Sequence, residues 1–372
     1  MPLSMLHPAP RGTRRKTRGQ DGSRLLSSRL RLAGVPFSTW RAAPPAVGRQ
    51  VTNLPHTGAG IVVLLRRFIR LAAINAVVFC AATGGIVFAL GAVAAENALR
   101  PPRRAVARLC PCLAHMHCDS VAVTARDGVS LRGWYYMPET PNGRDVVLLH
   151  GIGSNRQDMV ALGDLFLRLG YSALEPDLRG HGESGGLATY GVLEADDVRV
   201  WLDWLDKTAE HAGHTPHICG YGASLGGAVL LASLKQETRF SAVVAESAYS
   251  DFPSIADERV ARVLSTGWKW IAGPFVDSGI AWARWHDGID LRRASPTTGL
   301  RNTTVPVLLI HGLADDRTSP DNSRRLAAAN PAVQLWLVPG SGHTAAWRTA
   351  KTEFETRVTG WFSTHSAGSR DE

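Results

Sequence analysis

The stretch Gly222-Ala223-Ser224-Leu225-Gly226 limits what this chain can become more than any other. It lies between an apolar run ending in His217-Ile218-Cys219-Gly220-Tyr221 and a helix-like run, Ala228-Val229-Leu230-Leu231-Ala232. A chain that leaves a strand and enters a helix within so few residues turns so sharply that a Cβ on either flank meets neighbouring backbone, so small residues are demanded around the serine. Ser224 is thereby held up from the sheet at the positive end of the following helix, with the Leu225 backbone N–H free to face an oxyanion. Taken alone, the pattern fits a glycine-rich turn with an incidental serine equally well. The remainder of the chain decides between the two.

That remainder alternates strands with helices. Val121–Arg126 alternates apolar and polar residues, Asp127-Gly128 supplies a turn, and Val129–Tyr136 alternates again, which predicts an antiparallel hairpin. Asp145–Gly151 is a short continuous apolar run of the kind covered on both faces, and Met159, Leu162, Phe166 and Leu169 then recur at helical spacing. A strand from Tyr171 to Asp177 follows, then a helix marked by Val198, Trp201, Leu202 and Leu205 before the serine turn. Ala242–Ala245, Val307–Ile310 and Val333–Val338 continue the strand series, and a last helix runs from Trp347 to Phe362. Repeated strand–helix units give an α/β chain with a mostly parallel sheet and helices on both faces, whose ligands bind at the carboxyl ends of the strands. One connection is far longer than the rest. Between Asp251 and Thr304, Val260, Leu264, Trp268, Trp270, Phe275, Ile280, Trp282 and Trp285 make the segment too apolar for a solvated loop, and a small helical lid over about 252–304 is expected, its tryptophans packing it onto the core.

A serine hydroxyl is a weak nucleophile at neutral pH and needs a base within hydrogen-bond reach, with a carboxylate behind that base to fix its tautomer. Both partners follow strands: Asp315 in His311-Gly312-Leu313-Ala314-Asp315, and His343 in Pro339-Gly340-Ser341-Gly342-His343-Thr344. Asp316 and Asp251 are rivals for the acid, while His150, His181 and His311 are expected to be structural loop residues, since none follows the last strand.

The order Ser224, Asp315, His343, the Leu149-His150-Gly151 sequence, the Asp177–Ser184 stretch and the Gly-Ala-Ser-Leu-Gly-Gly turn together resemble the α/β-hydrolase superfamily over about residues 119–364, most closely its serine-aminopeptidase-like branch. The resemblance implies an eight-stranded sheet, an acyl-enzyme mechanism without metal or organic cofactor, and a second oxyanion donor at Ile152 beside Leu225, with Gly153 a weaker candidate because no HGGG run is present. Members of that branch are often esterases, lipases or lysophospholipases. A tryptophan commonly follows the nucleophile in proline iminopeptidases, and Leu225 stands there instead, which weakens a peptidase assignment. A carboxylic ester, lipid-like in part, is thus the expected substrate, with acyl transfer, peptide cleavage or pure binding on the same fold as the alternatives.

Charge separates a further region. The net charge is +9 overall, but residues 1–70 hold 13 Lys/Arg and one acid, so the rest of the chain is slightly acidic. The high pI therefore belongs to an arm, and a nucleic-acid partner for the body is not expected. The arm has too little apolar surface to offset the entropy of ordering and is expected to be disordered, as is a tail at 365–372. Its role is open among anionic headgroups, a nucleic-acid tail and a start codon further downstream.

Leu71–Ala95 holds no charged residue over 25 positions, long enough to cross a bilayer, and Arg66, Arg67 and Arg70 precede it. A single-pass anchor is expected over 71–95, amino terminus inside and body outside, joined to it by a linker over 96–118. Ala92-Val93-Ala94 alternatively offers a signal-peptidase site. Cys80 and Cys219 are expected to be small buried apolar residues, whereas Cys110, Cys112 and Cys118 suit acylation near the membrane or one short disulfide better than a zinc site, because their spacing with His115 and His117 fits no common finger.

Overall fold

A computed structural model describes residues 57–107, 116–211, 215 and 217–366. The arm up to residue 56, Cys110, Cys112, His115 and the tail from residue 367 lie outside the described residues. The first described element is a long helix, α1 (Thr57–Leu99). Strands β1 (Met116–Thr124) and β2 (Ser130–Pro138) form the hairpin, with Thr124 opposite Ser130 and Gly128 at a φ of 83° in the turn, a left-handed conformation that glycine adopts without a Cβ clash. Then follow β3 (Arg144–Leu149), α2 (Val160–Arg168), β4 (Ser172–Pro176), α3 (Glu194–His211), β5 (His217–Ala223), α4 (Leu225–Ser233) and β6 (Phe240–Glu246). An insertion carries α5 (Phe252–Val263), α6 (Ala272–His286) and α7 (Pro296–Leu300). The chain closes with β7 (Val307–Gly312), α8 (Asp321–Ala329), β8 (Gln334–Val338), α9 (Ala346–Thr349) and α10 (Lys351–Ser366).

The eight strands form one sheet in the order β1-β2-β4-β3-β5-β6-β7-β8, antiparallel at β1, β2 and β4 and parallel from there on. This is the mostly parallel sheet expected from the strand–helix alternation. The central strands bury both faces, which is why β3 and β7 read as unbroken apolar runs. Trp201, Leu202 and Leu205 of α3, Val229–Leu231 of α4 and Leu326 of α8 cover one face. Phe166 of α2 and Phe354, Val358 and Phe362 of α10 cover the other. The chain leaves β3 toward β4 on one side and β5 toward β6 on the other, so the crevice between the ends of β3 and β5 is the switch point at which open parallel sheets hold ligands.

From Leu65 onward α1 belongs to the same compact unit as the sheet, and its two parts differ. Leu71–Leu90 is exposed throughout except at half-buried Val87. At about 1.5 Å per residue these 20 positions rise about 30 Å, the thickness of a bilayer's hydrocarbon. From Gly91 the helix packs on the insertion: Gly91, Ala92, Ala95 and Leu99 are buried, and Leu99 joins Phe252, Val276, Ile280 and Leu291 in one apolar cluster. At the crossing of α1 and α6 a Cβ built on Gly91 would lie 2.9 Å from the Gly279 backbone N, and one built on Gly279 would lie 2.9 Å from the Gly91 O, so neither position accepts a side chain. Polar bonds hold the same seam, with Trp282 Nε1 donating to Glu96 (2.8 Å), Tyr190 Oη to the Ala98 carbonyl (3.1 Å), and Arg100 bridging to Asp287 (2.9 Å).

Three expectations change here. Residues 96–99, placed in a linker over 96–118, continue the helix, and β1 begins already at Met116. Glu96 marks the end of the uncharged stretch but not of the helix, because Arg100 one turn on and Trp282 of α6 pair its carboxylate. Three of the four lid tryptophans do not pack inward: Trp268, Trp270 and Trp285 are 57%, 71% and 74% exposed, whereas Trp282 packs against α1. Cys80 is exposed rather than buried, whereas Cys219 is buried in β5.

Candidate active site

The elbow has the geometry its small residues require. Ser224 joins β5 to α4 at φ 54° and ψ −112°, a strained conformation for a residue with a side chain. A Cβ on Gly222 would lie 2.4 Å from Gly226 backbone, and one on Gly226 would lie 2.2 Å from the Leu149 carbonyl oxygen. The other non-glycine residues at positive φ among those described are Tyr190, Ser247 and Thr344. All surround the same place: Tyr190 and Thr344 line the cavities at Ser224, and Ser247 Oγ accepts from the Thr344 N–H at 3.2 Å. Strain gathered at one crevice is a mark of a functional site.

Three loops at the carboxyl ends of β5, β7 and β8 bring the expected side chains together. His343 Nε2 lies 2.9 Å from Ser224 Oγ, and His343 Nδ1 lies 2.8 Å from Asp315 Oδ2. Ser224 is almost buried and His343 nearly so. Asp315 Oδ1 accepts from the N–H groups of Arg317 and Thr318, both at 2.9 Å, which turns Oδ2 toward the imidazole. Burial pushes the Asp315 carboxyl up, but hydrogen bonds from His311, His343 and the Thr318 N–H outweigh it and hold the group well below the usual carboxylate range. The rival acids stand apart. Asp251 caps α5, accepting from the Ser254 N–H at 2.8 Å, and Asp316 is exposed.

The remaining histidines support loops, as expected, and one of them reaches the site. His150 is fully buried, with Nε2 accepting from the Leu178 N–H (3.1 Å) and Nδ1 donating to the Gly151 carbonyl (2.8 Å). Burial pushes its pKa down to about 3, so the ring stays neutral and fixes the loop that carries Ile152. His181 packs edge-on against it. His311 sits behind Asp315, its Nε2 3.2 Å from Oδ2 and 3.0 Å from the Thr318 carbonyl. Its spacing of four from Asp315 was the one available signal for this role. In the Asp177–Ser184 stretch, Asp177 accepts from the Arg156 backbone N–H (2.8 Å), the Arg156 guanidinium (2.7 Å) and the Glu183 N–H (2.8 Å), which ties the loops after β3 and β4 together.

Two cavities meet at Ser224, sharing Ile152, Ser224 and Arg259 in their walls. One, of about 350 Å³, is apolar: its walls are Leu225, Phe252 and Ile255, Phe275 and Ile280 of α6, and Gly91, Ala94, Ala95 and Ala98 at the end of α1. The other, of about 800 Å³, holds His343 and is bordered by Arg262, Arg317 and Arg348. Both volumes suit ligand sites. Glu96, His286 and Asp287 bring donor atoms within 4.8 Å of one another, but Arg100 already pairs both acids, and the cluster serves as a clasp between α1 and α6.

Comparisons agree with this architecture. YqkD, an uncharacterized protein of Bacillus subtilis, is 27% identical over 216 residues, 57% of this chain and 68% of its own. YfhR, an uncharacterized protein of Escherichia coli O157:H7, is 24% identical over 237 residues, 62% of this chain and 74% of its own. An esterase structure from Pyrococcus furiosus superposes with a TM-score of 0.57 at 23% identity, covering 72% of this chain and all of that one, and so shares the fold. Residues 146–355 match the alpha/beta hydrolase family, and that span runs from within β3 to the first turn of α10 and takes in the elbow and all three loops that converge on it. With more than half of its 372 residues matched, the chain belongs to the alpha/beta hydrolase family.

Proposed function

We propose that the chain is a membrane-anchored serine hydrolase that cleaves carboxylic esters of apolar acyl chains. The observation that carries the reading is the pair of short contacts, Ser224 Oγ to His343 Nε2 at 2.9 Å and His343 Nδ1 to Asp315 at 2.8 Å, at the switch point of the sheet. Asp315 accepts the Nδ1–H and so leaves Nε2 as the base facing the serine. Ser224 Oγ attacks the ester carbonyl carbon while His343 takes its proton, and the N–H groups of Ile152 and Leu225 hold the oxyanion. The tetrahedral intermediate collapses to an acyl-serine, and the alcohol departs with the proton from His343. Water, activated by the same imidazole, then releases the acid.

The acyl chain belongs in the apolar cavity. His343 must reach the departing oxygen and lines only the other cavity, so the leaving group lies there and the acyl chain lies opposite. Anchoring is supported by the apolar helix Gly60–Leu99, the one such helix among the described residues, and by the exposed Trp268, Trp270 and Trp285, residues that favour the membrane–water boundary. Cys118 is disulfide-bonded, which favours an oxidising compartment for the body and an amino terminus inside.

The test is labelling of the detergent-solubilised full chain by a fluorophosphonate probe, beside hydrolysis of an ester chain-length series. Labelling and hydrolysis lost together in Ser224→Ala are the expected result. A folded wild-type chain that takes no label would overturn the reading in favour of a binding protein on a hydrolase fold.

A further inference from the structure

The 800 Å³ cavity on the His343 side differs from an ordinary alcohol site in its charge. Four arginines border it, from three parts of the chain: Arg259 and Arg262 on α5, Arg317 after β7, and Arg348 on α9. Arg262 has a distant partner in Glu258 at 3.9 Å. Among the described residues, no carboxylate lies within 4 Å of the guanidinium of Arg259, Arg317 or Arg348. Two acids share the cavity wall, and both are engaged elsewhere. Asp158 accepts from Arg104 at 3.1 Å and from Ser154 Oγ. Glu246 is buried behind the site, accepts from the Ala346 N–H at 2.9 Å and from Tyr221 Oη, and burial raises its pKa toward the neutral form. Uncompensated guanidiniums are thus gathered around the place where a leaving group must sit.

We propose that the natural leaving group carries a phosphate, so that the substrate is an anionic amphiphile: an acyl chain between α1, α5 and α6, and a phosphate among Arg259, Arg317 and Arg348. The inference rests on the serine-hydrolase reading above. A guanidinium is the side chain best matched to phosphate oxygens, through paired N–H donors and a charge that does not titrate. Arginines on separate elements surround such an anion rather than meeting it from one side. The phosphate stays on the leaving group when Ser224 takes the acyl group: a carboxylic ester gives up a phosphorylated alcohol, and a thioester gives up a phosphate-bearing thiol, the leaving atom taking its proton from His343 in either case. Two sources fit this chemistry, an acyl glycerol phosphate of the membrane and an acyl-coenzyme A.

The full chain in mixed micelles is assayed on three substrates with one acyl chain: the monoacylglycerol, the same monoacylglycerol bearing a 3-phosphate, and the acyl-coenzyme A. Expected is a kcat/KM at least roughly tenfold higher for one of the phosphate-bearing substrates than for the monoacylglycerol, a preference of the size that exposed charge-assisted bonds give. Which one is preferred identifies the source. The preference should fall below about threefold in Arg317→Gln/Arg348→Gln, survive in large part in the Arg→Lys pair, and weaken with added salt. Fluorophosphonate labelling and the melting temperature of each variant are read alongside. Equal rates on charged and neutral substrates, or a preference untouched by the double substitution, overturn the phosphate inference while labelling still upholds the hydrolase. Loss of labelling in the folded wild type overturns both.

Discussion

The two cavities that meet at Ser224 are built by different means. The apolar one is walled by helices, and its wall depends on α1, α5 and α6 lying against one another. The arginine-bordered one draws on loops and short elements around His343 and on the exposed face of α5, with arginine side chains that remain in water. Helix packing is cooperative and intolerant of added volume, whereas an exposed charge at a loop end can change with little effect on its neighbours. Under the proposed function, the contrast makes acyl preference the rigid half of the site and leaving-group preference the adjustable half.

Removing what the cavities share has the largest effect. Ser224→Ala, or Asp315→Asn, which leaves His343 in the wrong tautomer, should lower kcat by about 10⁴-fold or more on every ester, neutral or charged. Next comes the apolar wall. Ala98→Trp places an indole where α1 borders the cavity, and kcat/KM should fall roughly 10–100-fold on long acyl esters, moving the chain-length optimum to shorter chains. Gly91→Leu attacks the packing behind that wall. With Gly279 N only 2.9 Å from the added Cβ, it should lower the melting temperature by the equivalent of about 1–3 kcal/mol.

The smallest effect is on the His343 side and depends on pH. Hydrogen bonds lower the Asp315 pKa below its unfolded value, so the stability they supply is complete above about pH 4 and is lost as pH falls below that toward the native value. The stability difference between the wild type and Asp315→Asn in denaturant unfolding should therefore shrink on acidification through that range. A difference that grew instead would place the ionised carboxylate elsewhere.

The features legible in the sequence were those set by local geometry. Gly222 and Gly226 are required by contacts within the turn they form, so the elbow could be read from five residues. Asp315 and His343 each follow an apolar strand, and the parallel sheet places all such loops at one edge. The arginine border was not legible, because Arg259, Arg317 and Arg348 lie on three separate elements and a single arginine in a polar context has no pattern. The same holds for Gly91 and Gly279, 188 positions apart, whose pairing exists only once two helices cross. The lid tryptophans misled for a different reason. Aromatic content marks burial where water surrounds the chain; if α1 faces lipid as proposed, indoles near it can stay exposed.

The glycine crossing between α1 and α6 has a mechanical consequence. The backbones touch with no side chain between them, and the clasp of Glu96, Trp282, Arg100 and Asp287 secures the same seam, so the two helices form one lever rather than a hinge. If α1 is held by a bilayer, the insertion cannot swing clear of Ser224 without tilting the helix in the lipid. Membrane thickness and lateral pressure would then act directly on the opening of the apolar cavity, making turnover a gauge of the membrane in which the enzyme stands.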